Sequence, residues 1–153
     1  MLRARALISG VAVTSIAVLA WFLLSEKTGR ADPGNQQQVT LGKQVYMDNC
    51  ASCHGVNLEG QPDWRVRNSD GRLPAPPHDE TGHTWHHPDI SLFRIIKGGL
   101  KPPLAPEGYE SDMPSFEDTL TDEEIWASLA FIKSRWPENI RARQIELSKG
   151  AAQ

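Results

Sequence analysis

Cysteine is scarce in this chain of 153 residues: there are two, and they sit within one short stretch. That excludes the disulfide framework that staples many small exported domains. It also excludes a four-cysteine zinc module, because no second cysteine pair exists. Methionine is nearly as sparse, with three. No internal repeat is visible, and both the glycine loop that cradles phosphates and the G-x-S-x-G nucleophile elbow are missing, so no catalytic constellation stands out. Basic excess is absent too: the formal net charge is −3, which argues against nucleic acid as a partner.

What is present is concentrated. Both cysteines fall in Cys50-Ala51-Ser52-Cys53-His54, which reads C-x-x-C-H, the attachment spacing of a c-type haem. Two thiols one helical turn apart can reach the two vinyl groups on one edge of a porphyrin and form thioethers. The following residue, His54, is carried under the ring, where its imidazole can meet the iron. Two other readings share the pentapeptide. A thioredoxin-like dithiol requires a preceding strand and a βαβ pattern. A zinc site requires two further ligands, which histidines later in the chain would have to supply.

A second axial donor is sought in the methionines. Met1 is terminal, and Met47 lies three residues before Cys50. Met113, 59 residues beyond His54, has enough chain to reach over the ring, and Pro114 stiffens its loop. A thioether sulfur is a soft donor for haem iron and tends to raise its reduction potential.

The ends of the chain have a different character. Arg3 and Arg5 precede a long run from Ala6 to Leu24 that carries no charge. Its nineteen residues span about 28 Å as a helix, enough to cross a bilayer. Residues 1–24 are therefore expected to be an uncleaved membrane anchor with the N-terminus inside, a cleaved signal peptide being the alternative. Residues 25–38 are polar and read as a flexible linker with a reach of roughly 20 Å. Residues 39–137 have the size of one small domain, and residues 138–153 form a charged tail, either a surface helix or a frayed end.

Within the domain, helices are expected over 40–49, 89–99 and 121–136. The last is the clearest. Thr121 and Glu124 form a capping box, and Ile125, Leu129, Ile132 and Trp136 follow at helical spacing. In the second, Ile90, Phe93 and Ile96 are spaced to face a core. Gly42 is unexpected inside the first helix. Between Gly55 and Pro88, prolines and glycines preclude long elements, and a loop of that length is usually wrapped around something. Trp64 and Trp85 could line a haem pocket, and Arg65, Arg67 and Arg72 could pair with the propionates or simply be solvated.

These pieces resemble the single-haem class I cytochromes c, in a membrane-anchored bacterial form. The likeness covers 39–136 and rests on Gly42 and Tyr46, Cys50-Ala51-Ser52-Cys53-His54-Gly55, Met113-Pro114 and Leu129-Ala130-Phe131-Ile132-Lys133. It implies an all-α fold of three to four helices around one covalent haem c. Cys50 and Cys53 would hold the haem, and His54 and Met113 would be its axial iron ligands. It also implies a close right-angled crossing at Gly42, Tyr46 near Phe131, and a proline carbonyl accepting the Nδ1–H of His54, Pro76 for preference with Pro74 and Pro77 as alternatives.

The loop 77–88 departs from the simplest family pattern, with His78, His83, His86 and His87. It reads as a polar loop, as a second-metal site such as copper, or as the source of a replacement sixth ligand. The expected function is electron transfer by an Fe(III)/Fe(II) couple between redox protein partners, on the periplasmic side of the inner membrane. A soluble periplasmic form is the alternative location. The alternative functions are a haem subunit of a dehydrogenase or peroxidase and a copper-handling or sensing protein. From Asp32 onward there are 12 Lys/Arg against 18 Asp/Glu, a balance of −6. Glu107, Glu110, Asp112, Glu117 and Asp118 flank Met113, so a partner with a basic docking face is expected there.

Overall fold

A computed structural model describes residues 31–151 of the chain. All regular structure among the described residues is helical: α1 (Gln36–Asn49), α2 (Ala51–His54), a single 3-10 turn (Thr84–His86), α3 (Asp89–Gly98), α4 (Asp122–Ser134) and α5 (Glu138–Gly150). The expected anchor, 1–24, lies outside the described residues. Among the described residues no helix is long and apolar enough to cross a membrane.

α1 begins four residues ahead of the start that apolar spacing suggests. Asn35 is its N-cap, its side-chain oxygen accepting from the N–H groups of Gln37 and Gln38 at 3.1 Å each. Three glutamines then supply good helix formers for the first turn. The buried residues Gly42, Val45 and Tyr46 share one face and lie against α4. At Gly42 the two backbones come close together: a Cβ there would collide with the carbonyl of Ala127 and stand 3.0 Å from the Ser128 nitrogen. Tyr46 meets Phe131 just beyond, with ring centroids 5.4 Å apart and planes tilted by 50°.

α4 is the central helix. Its capping box is formed in both directions: Glu124 N–H donates to Thr121 Oγ1 (3.3 Å), and Thr121 N–H donates to Glu124 Oε2 (2.8 Å). Ile125, Leu129 and Ile132 are buried as their spacing requires, and Trp126, Ala127, Ala130 and Phe131 join them, so the helix is enclosed on nearly every side. Trp136 is buried beyond its end.

Two apolar clusters flank α4. One joins Tyr46, Ala51, Leu58, Phe131, Ile132 and Trp136. The other joins Ala31, Leu92, Trp126, Leu129 and Ala130, with Phe93 and Ile96 packed against it. In α3 it is Leu92, not Ile90, that turns fully inward, while Ile90 is exposed. The stacking of Phe93 on Trp126, centroids 4.4 Å apart, fixes that rotation.

The stretch after Pro137 forms α5, held by a buried polar knot. Lys133 Nζ, 3 % exposed, contacts both carboxylate oxygens of Asp89 at 2.9 and 2.7 Å. Gln144, fully buried, donates to Asp89 Oδ1 (2.6 Å) and to the His87 carbonyl (3.1 Å). Ser148 Oγ accepts the Asp89 N–H at 3.0 Å. α5 is thereby joined to the start of α3 and to the end of α4.

Candidate functional site

The pentapeptide lies where α1 passes into α2. Cys50 breaks regular helix at φ −119° while still donating its N–H to the Tyr46 carbonyl at 2.8 Å, and Gly55, at φ +83°, ends α2. The turn between these limits holds both thiols and the imidazole. Cys50 and Cys53 are free thiols, the first half-buried and the second exposed. Burial, and then the neighbouring Cys53, push the Cys50 thiol up to about 11.

Behind the pentapeptide the chain folds back on itself. Gly60 N–H donates to the His54 carbonyl at 2.8 Å, and Gln61 N–H to the Ala75 carbonyl at 2.9 Å. Leu58, at φ +71°, is a left-handed residue of a type that rarely accepts that conformation. Its full burial holds it there, and its carbonyl accepts the His78 N–H at 2.8 Å. Gly60 lets the segment 75–78 come close, since a Cβ there would stand 2.7 Å from the Pro76 carbonyl carbon.

That closeness puts the Pro76 carbonyl 2.9 Å from His54 Nδ1. A carbonyl can only accept, so Nδ1 carries the proton and Nε2 keeps its lone pair. Burial lowers the His54 pKa, against a smaller opposing effect of the Pro76 hydrogen bond, so the ring is neutral. A neutral imidazole with a bare, oriented Nε2 is the form that binds iron.

Met113 comes from a separate segment, the loop between α3 and α4. It is half-buried, and its N–H donates to Ser111 Oγ at 3.1 Å. Ser115 Oγ donates to the Lys97 carbonyl at 2.7 Å, and Phe116 N–H bonds the end of α3, so the loop is tied to helix just past Met113. On the other side Arg72 reaches Asp112 (2.7 Å) and Glu110 (3.5 Å). This arginine therefore bridges the two long loops, although its place in the sequence suggested a propionate partner. Arg65 lies over the Trp64 ring, and Arg67 donates to the Gly71 carbonyl at 2.6 Å.

The four histidines of loop 77–88 do not act together. His78 turns inward and stacks on His54. His83 stacks on Trp64, His86 stacks on Trp85, and His83 and His87 meet edge to face at 5.4 Å. Among the described residues no group of three or more His, Cys, Asp or Glu side chains converges as a metal-ion site. No strand precedes the pentapeptide within the described residues, as a thioredoxin-like dithiol would need. The donor set that remains is two free thiols, an imidazole with only Nε2 open, and a thioether on a tethered loop, which fits a covalently held haem.

The cytochrome c family model matches residues 39–136. The chain belongs to the cytochrome c family. Its pairing of α1 with α4 at Gly42 and its His54–Pro76 hydrogen bond are thus features of a cytochrome c domain, and a domain of this family carries haem c covalently. The chain is similar to a cbb3-type cytochrome c oxidase subunit FixP of Sinorhizobium medicae, with 30% identity over 68% of this chain and 32% of the relative. It is also similar to the quinohemoprotein alcohol dehydrogenase ADH IIB of Pseudomonas putida, with 30% identity over 70% of this chain and 12% of the relative. A nitrite reductase of Stutzerimonas stutzeri is 28% identical over 72% of this chain and 18% of its own length. The chain thus spans about a third or less of the curated relatives it matches. No solved structure matches it.

Sequence reasoning named His78 only among the loop histidines that would bind a second metal or replace the sixth ligand; it missed the stacking of His78 on His54 and the part of Thr84 beside it. The loop that carries them has no period, so nothing in it distinguishes an inward histidine from an outward one. Burial, with His54 and His83 as lesser causes, holds His78 well below the ordinary histidine value, and it too is neutral.

Proposed function

We propose that this chain holds one haem c through thioethers from Cys50 and Cys53, with His54 Nε2 and Met113 Sδ as axial donors, and carries single electrons between redox proteins. The observation that carries this reading is the C-x-x-C-H turn whose histidine has its Nδ1–H committed to the Pro76 carbonyl, leaving one nitrogen to ligate. When bound, haem c supplies a one-electron Fe(III)/Fe(II) couple. The chain's own residues hold the cofactor and orient His54 through Pro76. They also close the site against water with Tyr46, Leu58 and Phe131, and they bring a soft thioether on a loop pinned at Ser111 and Ser115.

The partner in this reading is an oxidoreductase with a basic face, a class supported by the oxidase, dehydrogenase and reductase names among the relatives. Arg72 occupies two of the acids near Met113, while Glu107, Glu117 and Asp118 remain exposed. Residues 1–24 serve as a single-pass anchor in the inner membrane and place the domain on the periplasmic side. The length of the apolar run and the likeness to an oxidase subunit support that placement.

A spectroscopic redox titration of the purified protein tests the proposal. A reversible one-electron curve, together with slow or absent carbon monoxide binding to the reduced form, supports a carrier with both axial positions filled. Rapid carbon monoxide binding would move the chain to the enzyme-subunit reading.

A further inference from the structure

His78 departs from the rest of its loop. The imidazoles of His54 and His78 lie face to face, with centroids 4.0 Å apart and planes 21° from parallel. Little in the surroundings lets His78 move. Its N–H donates to the Leu58 carbonyl at 2.8 Å, and its own carbonyl accepts the indole N–H of buried Trp136 at 2.7 Å. Its Nδ1 lies 2.8 Å from Oγ1 of Thr84, a buried residue. The rings of Tyr46 and His78 stand steeply inclined, with centroids 6.4 Å apart and planes 70° from parallel. Backbone and ring nitrogen are engaged, and one flat surface of the ring lies on His54.

We propose that His78 is a positioning residue for the axial histidine: its clamped ring sets the rotation of the His54 imidazole about the Cβ–Cγ bond. The proposal rests on His54 being the ligand. The Pro76 hydrogen bond alone does not fix that rotation, because hydrogen bonds keep most of their strength until the donor angle falls towards about 120°. Pro76 therefore leaves the ring a swing of tens of degrees. A rigid aromatic plane at van der Waals distance blocks that swing on the side it covers. The two contacts act on different parts of the ring, Pro76 on one nitrogen and His78 on the face, and neither touches Nε2. Thr84 has a role by extension: it holds His78 in the plane that matches His54.

The direction of an axial imidazole plane governs how unpaired spin spreads over a ferric haem. Its readouts are the proton NMR shifts of the haem methyls and the g-values of the low-spin signal. In the mature holoprotein, His78→Ala is expected to change the spread of methyl shifts or to split them into more than one set. Thr84→Val, which removes the hydroxyl that meets His78 Nδ1 and also the Pro77 carbonyl, is expected to shift the pattern in the direction of His78→Ala. His78→Phe, which keeps a flat ring but loses the hydrogen bond to Thr84, is expected to group with Thr84→Val. Unchanged methyl shifts and g-values in both His78→Ala and Thr84→Val would overturn the proposal. If His78→Ala does not mature, Thr84→Val and His78→Phe decide: wild-type shifts in both overturn it, and shifts moved in the same direction in the two uphold it. Haem staining of the wild-type chain on a denaturing gel separates the two levels. Wild type without covalent haem defeats the reading of the site itself, whereas haem-bearing variants with unmoved spectra defeat only the role of His78.

Discussion

Gly42→Ala opposes two physical effects of opposite sign. At an exposed helix position, replacing glycine by alanine stabilises by about 1 kcal/mol through propensity alone. At Gly42 the added methyl would overlap the carbonyl of Ala127 and come within 3.0 Å of the Ser128 nitrogen. These are backbone atoms in the middle of α4, so no rotamer change relieves the clash. The helices must part, and overpacking of this kind costs about 1–3 kcal/mol. Parting also loosens Tyr46 against Phe131, and a gap of about 0.5–1 Å forfeits a quarter to a half of a dispersion contact. After the propensity gain, the expected net loss is about 1–2 kcal/mol. That corresponds to roughly 4–12 °C in Tm for a domain of about a hundred residues. Gly42→Val should lose more. Guanidinium unfolding of the holoprotein, followed by far-UV circular dichroism and by haem absorbance, measures it. A Gly42→Ala variant as stable as wild type, or more so, would refute the close crossing.

Asp89→Ala strands the buried Lys133 charge and should destabilise by about 3–5 kcal/mol, with much of that recovered in the Asp89→Ala/Lys133→Met pair; a single-variant loss under about 1 kcal/mol in denaturant would count against the knot. Met113→His should keep a low-spin spectrum but lower the reduction potential, and an unaltered spectrum and potential in Met113→Ala would assign the sixth ligand elsewhere. His83 and His87 are held below the ordinary histidine value of 6.5, first by burial and then by neighbouring charges. Protons therefore bind the unfolded chain first as pH falls, and stability, full above about pH 7, should decline as pH drops through about 6.5. Denaturant midpoints compared at about pH 7.5 and about pH 5.5 should show this slope flattened in His83→Gln/His87→Gln, and an equal slope contradicts it. Reduction by a basic partner should slow as ionic strength rises; a salt-independent rate would remove the acidic surface around Met113 from the docking argument.

The parts of this fold that were legible in advance were those with local chemistry. α4 announced itself through the Thr121–Glu124 box and its apolar spacing, and the pentapeptide through its cysteines. The start of α1 was hidden because Gln36–Gln38 are polar and resemble linker, while the deciding signal, the Asn35 cap, is a single residue. The inward face of α3 was legible at Phe93 and Ile96 but not at Ile90, because Ile90 and Leu92 are both apolar and only the partner ring of Trp126 chooses between rotations. Gln144 and Lys133 carry no sequence sign of burial, since a polar side chain is enclosed only when distant residues such as Asp89 meet it. His78 was obscured in the same way, by three other histidines in a loop without period.

Covalent haem on this chain is the claim from which the rest follows. Protein matured in a host competent for haem attachment should be run on a denaturing gel and stained for haem, with its thiols counted by alkylation. The account predicts a haem-positive band at the mass of the chain and no alkylatable thiol at Cys50 or Cys53. A colourless band with both thiols open to alkylation would contradict it.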